Sequence, residues 1–243
     1  MKIRILLTLV VLILAGCERN DMEVVTSAER FDPVEARVRS GKANNLHSLV
    51  VWQNNQKVFE LHKQGSGRVG DRHTPNVPVA IDELHNLHSI TKSFVATLIF
   101  IAIDEGKLDS LDTPVFSLFP EYQHSDRDEK MQIKVRDVMN MSTGYALDEL
   151  ATSYSNTMAS VFTRHYMASD LLEQFLSTRL ASEPGANFSY SGLSTVGLSK
   201  IIERVYDKPF ANVMREKLFQ PLGITNYQWG TQHGSGEPGA DWA

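Results

Sequence analysis

The chain has 243 residues, 42% of them hydrophobic, and 24 Lys and Arg against 29 Asp and Glu leave a net charge of −5. That length suits one large domain or two modest ones, with enough apolar residues for a sizeable core. Mild acidity without a basic block or aromatic–basic interleaving argues against a nucleic-acid partner, and a single cysteine excludes an intrachain disulfide.

The N-terminus starts with Lys2 and Arg4, followed by an apolar run over residues 5–15 broken only by Thr8. This has the length of a signal-peptide core and is short for a membrane-crossing helix. It ends Leu14-Ala15-Gly16-Cys17, which resembles the lipobox of bacterial lipoproteins, where the cysteine becomes the lipidated first residue. The alternative is an ordinary signal peptide with a chance cysteine. The expected division is a signal peptide over 1–16, a polar tether over 17–30 and a folded domain over 31–243. Lipidation of Cys17 would hold the protein on a membrane of the bacterial envelope, facing the periplasm or the exterior.

Residues 46–53 (LHSLVVWQ) and 57–62 (KVFELH) read as two strands, and Asn54-Asn55 between them as a hairpin turn. The Gly- and Pro-rich stretch 65–78 reads as loop. Residues 94–103 (FVATLIFIAI) carry one polar residue, Thr97; a helix apolar all round is a buried helix, and Gly106 is placed to cap its C-terminus. Residues 135–141 read as a short helix entering the loop Ser142-Thr143-Gly144. Residues 168–177 read as an amphipathic helix with Ser169 or Asp170 as N-cap, and Glu183-Pro184-Gly185 as a turn. Residues 193–206 and 210–219 read as two further helices split by Asp207-Lys208-Pro209. Residues 230–243 are Gly-rich and polar. One hairpin among many helices is an unbalanced inventory, since an isolated hairpin is marginal in water.

Ser89 stands at the start of the apolar helix with Lys92 three residues on, so the two side chains share a face. A cation in the first turn meets the positive end of the helix dipole and precedes apolar residues. Both effects disfavour the charged form and leave the amine available to take a proton from serine. The helix start also offers a backbone N–H to a developing oxyanion. The plainer alternative makes Ser89 an N-cap and lets Lys92 reach solvent. His85 and His88 have a spacing that could bind metal, but no further ligand follows at a recognisable distance, so no metal is expected. Tyr145, after Ser142-Thr143-Gly144, could line a pocket mouth or be an exposed loop tyrosine.

Ser89-Ile90-Thr91-Lys92-Ser93-Phe94, the apolar helix and Glu105-Gly106-Lys107-Leu108-Asp109 resemble the serine β-lactamase-related family, which includes class C β-lactamases, DD-peptidases, esterases and 6-aminohexanoate-oligomer hydrolases. So do residues 133–144 (IKVRDVMNMSTG), Glu183-Pro184-Gly185, Phe188-Ser189-Tyr190-Ser191-Gly192 and residues 218–224 (LFQPLGI). The resemblance implies an α/β fold of the β-lactamase/transpeptidase type, an antiparallel sheet flanked by helices plus an all-helical region. It implies a serine hydrolase that forms an acyl-enzyme on Ser89 with Lys92 and Tyr190 as proton-transfer groups, needs no cofactor, and acts on small or peptide-like amides or esters. Tyr145 and Gly192 are the expected substrate-binding positions. Gly192 departs from the asparagine common at the third position of the family's Tyr-x-Asn motif, which leaves ester or simple amide cleavage more open than β-lactam hydrolysis. The family's late Lys/His-Thr/Gly-Gly motif has one candidate, His233-Gly234-Ser235-Gly236, in a stretch that reads as loop. The fold is therefore expected to be incomplete at the C-terminus. A penicillin-binding-type protein, or a non-catalytic envelope lipoprotein of the same fold, is the alternative.

Overall fold

Asn54 and Asn55 adopt left-handed φ angles of 51° and 59°, the conformation that two-residue hairpin turns require and that asparagine tolerates. They join β1 (Ser48–Gln53) to antiparallel β2 (Gln56–His62), with a bulge between Val51 and Trp52. The computed structural model describes residues 29–43, 46, 48–62, 65–69, 72–77, 84–151 and 170–229. The chain divides into two units, Met1–Glu83 and Leu84–Ala243. Cys17 and the His233-Gly234-Ser235-Gly236 stretch lie outside the described residues.

In the first unit, α1 (Asp32–Arg39) carries a proline in its opening turn, where a missing N–H costs nothing. Phe31, just before it, stacks on Phe59 of β2 with ring centroids 4.5 Å apart. The stretch expected to be loop forms a second antiparallel hairpin, β3 (Gly65–Val69) with β4 (Arg72–Val77). Glycine and proline lower strand propensity without forbidding it where cross-strand pairing supplies the bonds.

The second unit opens with a 3-10 turn, His88–Ile90, leading into α2 (Thr91–Asp104). Helix α2 buries Val95, Leu98, Ile99 and Ala102, at roughly 1.5–3 kcal/mol for each large aliphatic side chain. It is not enclosed all round: Ser93, Thr97, Phe100 and Asp104, spaced along one stripe, are exposed. Its end is the expected glycine cap. Gly106 has φ +66°, the Lys107 N–H reaches Ala102 O at 2.8 Å and the Gly106 N–H reaches Ile103 O at 3.0 Å, the paired bonds of a Schellman motif.

Short helices follow: α3 (Arg127–Lys130), α4 (Val135–Met139) and α5 (Leu171–Ser177). Asp137 begins the hold on α4 by accepting the Lys134 N–H at 2.9 Å. Asp170 is the N-cap of α5 and accepts the Glu173 N–H at 2.9 Å. The central helix is α6 (Gly192–Tyr206), whose residues from Gly192 to Ser199 are all buried. It packs against α2, α4, α5 and α7 (Phe210–Met214). A Cβ on Gly197 would stand 2.4 Å from the Phe175 ring, so the α5–α6 approach needs glycine there. Beyond Met214 the helix widens into a π turn, Arg215–Phe219, where the sequence pattern suggests one continuous helix. No described helix is long and apolar enough to cross a membrane.

Candidate active site

Ser89 lies in the 3-10 turn ahead of α2 and its side chain is exposed. The residue before it, His88, has φ +47°, a left-handed conformation that strains a non-glycine residue by roughly 1–2 kcal/mol. Strain of this kind concentrates where a fold fixes a functional side chain. Lys92 follows one turn later on α2 and is half-buried.

Tyr190 arrives from the other end of the unit, in the extended segment before α6. Its hydroxyl lies 2.6 Å from Ser89 Oγ, joining residues 101 positions apart. The Lys92 ammonium nitrogen lies 5.4 Å from the centre of the Tyr190 ring, within the range of a cation–π contact. The three residues expected to form the nucleophile and its proton-transfer groups therefore meet in one place.

The backbone around Tyr190 is held by the segment 141–149. The Ser189 N–H donates to Met141 O at 2.8 Å and the Ser189 hydroxyl to Leu147 O at 2.6 Å. The Ser191 N–H faces Met141 Sδ at 3.5 Å, and the Gly192 N–H donates to the Glu149 carboxylate. Ser191 is the N-cap of α6, its hydroxyl accepting the Ser194 N–H at 3.3 Å. The Ser142-Thr143-Gly144 loop is fixed in turn: Ala181 and Ser182 donate to Gly144 O at 2.8 and 3.1 Å, and Gly185 donates to Ser142 O at 2.7 Å. Gly144 has φ +78°, and a Cβ there would lie 2.2 Å from Ser182 O.

Gly192 is buried as the first residue of α6. Tyr145 is buried too, its ring edge-on to Phe175 at 5.6 Å. Burial, with Tyr122 and Asp126 nearby, holds its phenol well above the ordinary tyrosine range, so it stays protonated. A cavity of about 40 Å³ bordered by Thr143, Tyr145, Ser189 and Ser191 lies behind the Tyr190 segment, room for a water molecule. A larger groove of about 770 Å³ is bounded by Asp128, Glu129, Gln132 and residues 180–184 and includes none of Ser89, Lys92 or Tyr190. His85 and His88 are exposed, and no group of three or more metal-ligating side chains occurs among the described residues. The tethering residues Met141, Leu147 and Glu149 carry no sequence signal, because their partners are fixed only by the fold.

Ser89, at a helix start, thus stands against the Tyr190 hydroxyl, with Lys92 over the tyrosine ring. A family model described as Beta-lactamase matches residues 34–242, and the chain belongs to this β-lactamase-related family of serine hydrolases. It is 27% identical over 156 residues to the unguisins hydrolase of Aspergillus campestris, covering 62% of this chain and 28% of that one. It is 23% identical over 209 residues to the lovastatin esterase of Penicillium rubens, covering 80% and 51%. FmtA from Staphylococcus aureus has the same fold with a TM-score of 0.63 at 14% identity, over 84% of this chain and 52% of that one. The α/β fold is thus that of the β-lactamase/transpeptidase group. The chain spans 28%, 37% and 42% of the length of three curated relatives it matches.

Proposed function

We propose that this chain belongs to a serine hydrolase that cleaves amide or ester bonds through an acyl-enzyme on Ser89. The observation that supports it is the 2.6 Å contact between Ser89 Oγ and the Tyr190 hydroxyl, beside Lys92. Ser89 Oγ attacks the carbonyl carbon, and its proton passes to the Lys92–Tyr190 pair. The proton then goes to the departing amine or alcohol as the acyl–heteroatom bond breaks. Water hydrolyses the resulting ester, its proton following the same route back to Ser89. The helix start supplies backbone N–H character to the oxyanion. Tyr145, which borders the small cavity behind the tyrosine segment, and Gly192 are the substrate-binding positions of this reading. An ester or simple amide suits the site better than a β-lactam, because Gly192 offers no side-chain amide to a substrate carbonyl. Lipidation of Cys17 would tether the enzyme to a bacterial envelope membrane.

A fluorophosphonate probe should modify Ser89, and the adduct should be lost in Ser89→Ala and strongly reduced in Lys92→Ala. An adduct mapped to another serine refutes the assignment. Labelled penicillin separates the variants of the reading: a long-lived adduct on Ser89 marks a penicillin-binding-type protein, and no adduct with either probe marks a non-catalytic one. For the tether, labelled palmitate should enter the wild type and not Cys17→Ala; equal incorporation refutes lipidation.

A further inference from the structure

Glu149 is 4% exposed, an uncommon setting for a carboxylate, and the proposed proton transfers do not use it. Its Oε2 accepts the N–H of Gly192, the residue that opens α6 two positions after Tyr190. A negative group at a helix N-terminus is favourable, which offsets part of the cost of burial. Ser191 already caps the helix through the Ser194 N–H, so Glu149 serves a different backbone group.

The tyrosine segment is tethered on both sides, but unequally. On the N-terminal side, Ser189 makes two bonds to main-chain carbonyls, Met141 O and Leu147 O. On the C-terminal side, Ser191 N–H meets a thioether at 3.5 Å, a weak acceptor. The next residue, Gly192, has no side chain to restrict its backbone. Its bond to Glu149 adds a carboxylate acceptor to the helix cap there. A shift of about 1 Å in a reacting group can lower a rate about 100-fold, so looseness after Tyr190 would be felt at Ser89.

We propose that Glu149 is a positioning residue for Tyr190: by fastening the Gly192 backbone it holds the phenol against Ser89. The inference rests on Ser89 and Tyr190 acting as proposed above. The carboxylate does for the flexible glycine what an ordered side chain at that position would otherwise do.

The test is the second-order rate of Ser89 labelling by a fluorophosphonate, measured on the full chain. Glu149→Ala should lower it at least about tenfold, while Glu149→Gln, whose amide oxygen still accepts, should stay within about threefold of wild type. Glu149→Asp, which keeps the charge but withdraws the acceptor, should fall between them and replaces the alanine variant if that does not fold. In a Tyr190→Phe background the Glu149 substitution should have little further effect, since both act through one phenol. An equal fold-loss in the two backgrounds, or wild-type labelling by Glu149→Ala, overturns the proposal. The failure of the underlying reading looks different: labelling would then survive Ser89→Ala or be indifferent to Tyr190→Phe.

Discussion

Lys130 is fully buried, and its replacement should destabilise the helical unit in a way that depends on what replaces it. Its ammonium bonds to Leu176 O at 2.6 Å and to the Tyr122 hydroxyl at 3.1 Å, and pairs with Asp126 at 2.7 Å. The Phe116 and Tyr122 rings lie 5.8 and 5.3 Å from it. Lysine to methionine keeps most of the volume but strands the Leu176 carbonyl, at about 1–3 kcal/mol. Lysine to alanine also removes three methylenes from a closed space, at about 0.8 kcal/mol each, so it should cost about 2 kcal/mol more. Asp126 stays a third exposed and can be rehydrated in either variant, which is why neither estimate includes a stranded carboxylate. Chemical unfolding followed by circular dichroism would order the chains wild type, Lys130→Met, Lys130→Ala. The pH dependence gives a second check. For Asp126, burial opposes ionisation, but the bond to Lys130 outweighs it and the carboxyl sits below its ordinary value of 3.8. A depressed carboxyl contributes stability that is present above its unfolded value and is lost as pH falls through the folded one. The gap between wild type and Lys130→Met should therefore narrow on acidification below about pH 4. Two variants indistinguishable from each other, or a gap that widens in acid, would refute the reasoning.

Substitutions at three other positions test the scaffold. Gly144→Ala places a Cβ 2.2 Å from the Ser182 carbonyl oxygen in a left-handed backbone, so it should both lower the unfolding midpoint and slow Ser89 labelling. Gly223→Ala, left-handed at φ +69° but with open space around it, should show only a strain cost of about 1 kcal/mol and unchanged labelling. Asp170→Ala removes the N-cap bond to Glu173 and should destabilise the unit by about 1 kcal/mol, whereas Asp170→Ser should recover most of that.

Features set by local chemistry were legible in the sequence. The Asn54-Asn55 hairpin, the Gly106 cap and the N-cap at Asp170, one of two candidates with Ser169, each depend on residues within a few positions. The one-turn spacing of Ser89 and Lys92 was legible locally, whereas the approach of Tyr190 to Ser89 was expected only from its motif's resemblance to a known family's. What escaped depends on distant partners. The β3–β4 hairpin hides under glycine and proline, since ladder pairing overrides weak strand propensity. Nothing near Lys130 in the sequence signals burial, since its acceptor, the Leu176 carbonyl, lies 46 positions away. Tyr145 reads as equally suited to a pocket mouth or an exposed loop, yet its ring is packed on Phe175 in the core.

The same distinction bears on how the site works. Ser89 belongs to the start of α2 and Tyr190 to the approach to α6, so the 2.6 Å between them is set by the packing of those helices and by the tethers on the approach. The first is held by a broad apolar core, in which no single side chain decides the spacing. The second depends on a few bonds from residues 141–149, themselves held by the close approach of Gly144 to Ser182. Substitutions in the core should therefore lower stability before they alter reactivity. Substitutions at Glu149 should alter reactivity out of proportion to stability, because they act on a bond to the tyrosine segment and not on the apolar core.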